Sequence, residues 1–327
     1  MRRERRKTLR RLSCFSILIL GGFLASPRLG EAASFPAKPI EMTVLFGAGS
    51  GADLLARKLA DAAGKDLGQS ILVVNRTGAG GAIGYNYLRG QAPDGYAIVW
   101  NSNSISTAYH AGNMTFDYTA FSGVAELTTE PVSLAVKADA PWKDIGEFVA
   151  YAKQNPGKVR IGNSGRGSFT HLTGVALENV TGAKVIHVPF GQALAVATLL
   201  GEKIEGSIQL PAEIVAQVRG KQVRVLAVTG DKRLPSLPEV PTFKEMGIDL
   251  TLSLWRGIAV PKGTPEPVIA RLEAAFRAAA ESQAFRDFAT EMGATIEFRG
   301  AKAFDQFIAV QDKELAGLMD QIGMKKQ

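Results

Sequence analysis

The chain of 327 residues contains one cysteine, Cys14, and three histidines. Beyond residue 14 no disulfide and no thiol nucleophile can form. His110, His171 and His187 show no paired spacing with one another or with cysteine, which argues against a zinc site. Long apolar runs are also missing. The best is LSCFSILILGGFLA near the start, shorter than the ~20 residues that span a bilayer. Charge of one sign is scarce where it would matter. The formal net charge is +7, but residues 1–33 hold eight Arg/Lys against Glu4 and Glu31. The remainder carries 30 basic and 29 acidic residues, a net of +1. That balance gives no electrostatic case for nucleic acid or for an anionic membrane. There is no tandem repeat and no low-complexity tract.

The basic MRRERRKTLRR, the apolar run and the small residues of GEAAS follow the order of an export signal. We expect residues 1–33 to be a signal peptide cleaved near Ala32–Ser34. Cys14 lies inside the apolar region, not after it as a lipoprotein cysteine would. The expected location is the periplasm.

The rest suits two α/β domains in length, with 46% hydrophobic and 21% charged residues overall. IEMTVLF, SILVVNR and GYAIVW read as strands, with LLARKLADAAGKDLG and GGAIGYNYLRGQ as helices between them. This predicts a parallel βαβαβ unit. Residues 101–125 read as a loop. Strands and helices then alternate again, including a helix over PAEIVAQVRG, until the proline-rich RLPSLPEVPTF, which favours an irregular connection. PVSLAVKADAPWKDIGEFVAYA and WRGIAVPKGTPEPVIARLEAAF share a layout of strand, proline-containing loop and helix. They suit strands that leave and re-enter a first lobe. The expected lobes are 34–125 with 251–327, and 126–250.

Two glycine turns carry the chemistry. FGAGSGAD follows a strand and opens a helix, and so does GNSGRGSFTH. Each would present unpaired N–H groups and the positive end of a helix dipole to an anion. Asp53 reads as the cap of the first helix. Ser50 and Ser164 can donate hydroxyl hydrogens. Asn101, Ser102, Asn103 and Ser104 follow a buried strand at its carboxyl end, where ligands of open α/β sheets sit. Arg166 can pair with a carboxylate. His171 reads as packed one turn into a helix and His187 as core. Trp100 and Trp255 read equally as stacking platforms or as core. NRTGAGGAIG either borders a cleft or packs a helix closely on a sheet.

From Phe35 onward, the blocks FPAKPIEMTVLFGAGSGAD, VVNRTGAGGAIG, APDGYAIV, NPGKVRIGNSGRGSFTHL, VIHVPF, VRVLAVTGDKRLPSLPEVPTFKEMG and WRGIAVPKGTPEPVIARL occur in this order. The chain resembles the periplasmic solute-binding proteins of tripartite tricarboxylate transporters, the Bug-type receptors. The resemblance implies an α/β, two-lobed periplasmic-binding-protein fold of the Venus-flytrap kind, each lobe a βα sheet sandwich. It implies a small carboxylate held between the lobes and delivery to integral-membrane transporter subunits by a monomeric receptor. The implied ligand-binding residues are Gly47, Ala48, Gly49, Ser50, Gly51, Ala52 and Asp53, then Asn101, Ser102 and Asn103. Asn163, Ser164, Gly165, Arg166, Gly167, Ser168 and Gln209 complete the set. The chain departs from the family pattern in four places, one of them Arg166, where a small or polar residue is the norm. The first turn lacks prolines, VPFGQALA lacks a lysine, and Gln209–Leu210 replace an Asp–Asn pair. With Arg166, the last change predicts a ligand with more than one carboxylate, or one acid plus another electronegative group, and no free amino group.

Two other chemistries fit fragments. Gly47–Ala52 matches a dinucleotide fingerprint, but the next strand ends at Asn75–Arg76 without a ribose-binding acid. Gly162–Gly165 begins a nucleophile elbow, but Arg166 stands at its last glycine. No acid–base–nucleophile set accompanies either. The expectation is a binding protein, not an enzyme, with no cofactor and no metal.

Overall fold

The computed structural model describes residues 35–190 and 195–326. The expected signal peptide, and residues 191–194 within VPFGQALA, lie outside the described residues. The first strands and helices are β1 (Ile40–Val44), α1 (Gly51–Leu67), β2 (Ile71–Asn75), α2 (Ala82–Arg89) and β3 (Ala97–Ser102). β1 pairs in parallel with both β2 and β3, as the alternation predicts. Ile40, Met42 and Val44 are fully buried, because helices cover the strand. α1 turns Leu55, Ala56, Leu59, Ala60 and Ala63 inward at helical spacing and ends at Gly68, whose φ of 68° only glycine adopts easily.

The segment expected as a loop after β3 contains a helix, α3 (Ser104–His110). It is followed by β4 (Phe121–Pro131) and β5 (Ser133–Lys137). Next come α4 (Ile145–Gln154), β6 (Arg160–Asn163), α5 (Phe169–Thr181), β7 (Ile186–Pro189) and α6 (Ala195–Leu200). β8 (Gly206–Gln209), α7 (Val215–Arg219) and β9 (Val223–Val228) complete this set. The helix expected over PAEIVAQVRG is split into a 3-10 turn at Pro211–Glu213 and the short α7. The chain then runs through β10 (Ser253–Pro261), α8 (Glu266–Glu281), α9 (Gln283–Glu291), β11 (Thr295–Gly300) and α10 (Ala301–Gln321).

These strands form two mixed sheets. The first has the order β11-β4-β10-β3-β1-β2 and the second β7-β6-β8-β5-β9. Each keeps a parallel set and receives a strand running the other way, β10 in the first sheet and β5 in the second. The chain leaves the first sheet at Val132, not at residue 126. β4 pairs with β10 from Phe121 to Pro131, and those backbone bonds hold it in the first sheet. The proline-rich return is irregular, as expected. It is tied to the end of β9 by Val228 N–H on the Pro241 carbonyl and Phe243 N–H on the Val228 carbonyl. α10 serves both cores. Phe304 and Ile308 pack with Tyr85 and Trp255, whereas Leu315 and Met319 join Phe148, Phe169 and Phe243.

Candidate functional site

The first glycine turn closes on itself. Ser50 caps α1, its Oγ accepting from Asp53 N–H at 3.3 Å. Asp53 is therefore not the cap but the third helical residue. Its carboxylate reaches back to Gly49 N–H at 2.9 Å and accepts from Asn75 Nδ2 at 2.9 Å and Arg57 Nε at 3.0 Å. Ser50 thus caps the helix, and Asp53 holds the residue before that cap. Burial alone would raise the Asp53 pKa, but the bonds from Arg57, Gly49 and Asn75 outweigh it and hold the carboxyl below its ordinary value. Ser50 N–H donates to the Gly47 carbonyl. Ala48 and Gly49 are exposed, whereas Gly47, Gly51 and Ala52 are buried.

The second turn satisfies its donors with neutral groups. Ser164 N–H donates to Thr170 Oγ1, Gly165 N–H to Asn163 Oδ1, Gly167 N–H to His171 Nδ1 and Ser168 N–H to the Gly165 carbonyl. Ser168 caps α5 by accepting from His171 N–H. His171 is packed as expected, its ring edge-on to His187 at 5.1 Å. Burial, with His187 and Arg166 adding to it, pushes its pKa down to about 4. His187 is only partly buried and pairs with Glu178 at 3.1 Å. The N–H groups expected to meet an anion are thus largely engaged within each turn.

A third glycine turn brings the lobes together. Gly80 has φ 66°, and a Cβ there would lie 3.1 Å from the Gly167 carbonyl carbon. Asn113 Nδ2 donates to the carbonyls of Ala79 and Arg166, stitching the two turns. NRTGAGG therefore borders the second turn, and Gly80 is small because backbone from the other lobe lies against it.

The residues at the end of β3 are structural. Asn101 Oδ1 accepts from Tyr85 O–H at 2.6 Å, and Ser102 Oγ accepts from Ser104 N–H. Asn103 Oδ1 accepts from Trp255 N–H at 2.7 Å, and its Nδ2 donates to the Ser253 carbonyl, fastening β3 to β10. These buried side chains hold the sheet and do not line the cavity below; Ser104 does. Trp100 and Trp255 are core.

Between the sheets lies a narrow cavity of about 20 Å³, lined by Phe46, Ser104, Ser164, Ser168, Phe169, Thr170, Leu210, Glu213, Leu254 and Arg256. Of the residues singled out in the sequence, Ser104, Ser164 and Ser168 line it directly. Gln209 lies behind Ser164, its Oε1 accepting from Ser164 Oγ at 3.0 Å. Arg166 is exposed at the crest of its turn, between Gly165 and Gly167, and does not line the cavity. The arginine that does is Arg256 on β10. Its Nε donates to Glu130 Oε1 at 2.7 Å, and the two side chains are 2% and 0% exposed. Arg256 Nη1 and Glu130 Oε2 have no hydrogen-bond partner. Burial raises the Glu130 pKa, and Arg256 opposes it. Glu213 enters from the second lobe, and its carboxyl accepts from the backbone N–H groups of Leu210 and of Gly51 at the head of α1. Burial pushes its carboxyl up to about 7; Arg256 opposes that shift and Glu130 adds to it. Glu213 also supplies the acid that Gln209 and Leu210 do not. The signal for Arg256 was a single charge inside an apolar strand, LSLWRGIAV; Glu213 had no comparable signal.

The sequence profile described as the tripartite tricarboxylate transporter family receptor matches residues 55–324. The chain belongs to this family of solute-binding receptors. The family and its structural neighbours are receptors, not enzymes. One relative, a UPF0065 protein encoded in the gbd 5′ region of Cupriavidus necator, is 30% identical over 99% of both chains. The periplasmic binding protein BugD is similar in structure, with a TM-score of 0.85 and 31% identity, covering 90% of this chain and 100% of BugD. MatC from Rhodopseudomonas palustris, solved with bound malate, has a TM-score of 0.81 and 26% identity, covering 87% of this chain and 99% of MatC. The two-lobed fold of these receptors accounts for the two sheets. Among the described residues no helix is long and apolar enough to cross a membrane, and no cluster of three metal-ligating side chains occurs.

Proposed function

We propose that the protein is a periplasmic receptor that captures a small organic carboxylate between its lobes and delivers it to the membrane subunits of a tripartite transporter. It acts as a single chain. The observation that carries this reading is the buried Arg256, which lines the cavity between the sheets with a free Nη1. A desolvated guanidinium with an unused donor is a strong partner for an anionic oxygen. The amino ends of α1 and α5 add the positive ends of two helix dipoles. Ser104 Oγ, buried and unpartnered, is a further donor at the same cavity. MatC, which shares the fold, was solved with the di-acid malate.

The glycine turns shape this cavity more than they bind. Their N–H groups hold Asp53, Asn163, Thr170 and His171 in place, and so fix where the two helices begin. Ligand-dependent melting against a panel of small carboxylates tests the reading. A ligand that binds only the native state at 100 times its Kd adds about 2.7 kcal/mol and raises Tm by a few degrees. At least one acid of the panel should do so, and neutral sugars should not. A Tm unmoved by every acid would count against the receptor role.

A further inference from the structure

One short segment of the second lobe grips the first at several points. Pro211 of the 3-10 turn lies against Gly293, where an added Cβ would fall 2.7 Å from the Pro211 Cβ. Ala212 lies against Gly51 in the same way, at 2.7 Å. Further along, Arg219 of α7 pairs with Glu291 of α9 at 2.8 Å. Glu213 stands within this row. Its carboxyl accepts from Gly51 N–H at the head of α1 and feels the attraction of Arg256. The helix head and the buried guanidinium are the groups that the receptor reading assigns to the ligand carboxylate. With the Glu213 carboxyl beside them, the cavity of about 20 Å³ has room for about one water molecule. An organic acid can enter only when Glu213 leaves.

We propose that Glu213 is a built-in competitor for the ligand: its carboxylate takes the place of the ligand carboxylate at the head of α1 and clasps the lobes together until an acid displaces it. This rests on the receptor reading above. Two carboxylates side by side at one helix end repel each other, so the second arrives only as the first departs. The incoming acid offers the same charge to Gly51 N–H and to the free Nη1 of Arg256, and so replaces the clasp that it breaks. The Leu210 N–H also donates to the Glu213 carboxyl, but it belongs to the same turn and moves with it. The apparent affinity is then the intrinsic affinity reduced by the fraction of molecules in which Glu213 has let go.

Glu213→Ala removes a CH2–carboxylate group and leaves a gap the size of acetate, which makes acetate the first probe. Small-angle scattering of the exported protein, with no acid added, should show a compact wild type and a more extended Glu213→Ala. Acetate should restore the compact form of the variant and leave the wild type unchanged. Calorimetry with malate and succinate gives the second readout, and the variant should bind them more tightly than the wild type does. A clasp that leaves about a tenth of the molecules open weakens affinity about tenfold, and the variant recovers that factor. Glu213→Gln keeps the shape and loses the charge; it should fall between the two proteins, and it decides if the alanine variant does not fold. A variant as compact as the wild type without acetate would overturn the proposal. So would weaker binding of malate or succinate by the variant, which would make Glu213 a partner of the ligand and not its competitor. If no acid of the melting panel binds either protein, the receptor reading fails, and scattering with acetate still decides the clasp.

Discussion

At the first glycine turn the Gly49 N–H is held by a carboxylate, and at the second the Gly167 N–H is held by an imidazole. The two turns share a sequence logic, with glycines between a strand and a helix and a serine cap at Ser50 and at Ser168. Their anchoring differs. Asp53 is charged, buried and tied to Arg57 and Asn75, so the first turn depends on an ionic network at the start of α1. The second turn uses Asn163, Thr170 and a neutral His171. The first anchor should therefore withstand acid to below the ordinary carboxyl range, while the second weakens as soon as imidazoles begin to titrate. Both turns set helix amino ends beside the cavity, and the charges that line it come from elsewhere, on β10 and after β8.

The largest effect should come from breaking the first anchor. Asp53→Ala leaves the Gly49 N–H, the Asn75 amide and the Arg57 guanidinium without their partner, at a cost of about 3 kcal/mol. Chemical denaturation with an unchanged m-value would register it as a lower midpoint. A loss below about 0.5 kcal/mol would mean that the network is replaceable by water.

The second anchor should show itself in pH. The folded His171 titrates at about 4, below its ordinary 6.5, because burial disfavours the charged ring. A depressed histidine contributes stability that is complete above pH 6.5 and is lost as pH falls from there toward 4, since the unfolded chain takes up the proton first. After discount for partial exposure, wild-type stability should fall by about 2 kcal/mol more than that of His171→Gln between pH 7 and 4. Parallel pH profiles for the two proteins would contradict this.

The contact between the lobes is the next point to probe. Gly80→Ala places a Cβ 3.1–3.2 Å from backbone atoms of Arg166 and Gly167 and strains a positive φ. The left-handed backbone alone costs about 1–2 kcal/mol. Because the clash falls on the other lobe, ligand affinity should drop several-fold more than stability predicts. The smallest effect belongs to Arg166→Ala. This exposed side chain should change affinity for any acid less than about twofold, as exposed charges contribute little.

Much of the fold could be read from the residues. IEMTVLF, SILVVNR and GYAIVW alternate with helical runs strongly enough to mark β1, β2, β3 and the helices between them, and Gly68 and Pro265 mark helix ends. Where reading failed, tertiary contacts had decided. SISTAYH looks like a polar loop but forms α3 because Ile105 and Ala108 bury against Tyr85 and Met114. PAEIVAQVRG looks like one helix but breaks after Glu213. The Val132 crossover depends on β10, more than a hundred residues away, and local pattern cannot reveal it. The site was half legible. Ser164, Ser168 and the importance of both turns follow from glycine spacing. That Asn101, Ser102 and Asn103 face the sheet interior, and that Arg256 rather than Arg166 reaches the cavity, depends on which side of a strand or turn a residue occupies.

The most direct measurement is a crystal structure of the complex with the tightest acid from the panel. The account predicts the acid between the sheets, with a carboxylate oxygen within hydrogen-bond distance of Arg256 Nη1. A ligand seated instead in the separate groove between Trp255, Phe307 and Leu318, with Arg256 Nη1 untouched, would contradict it.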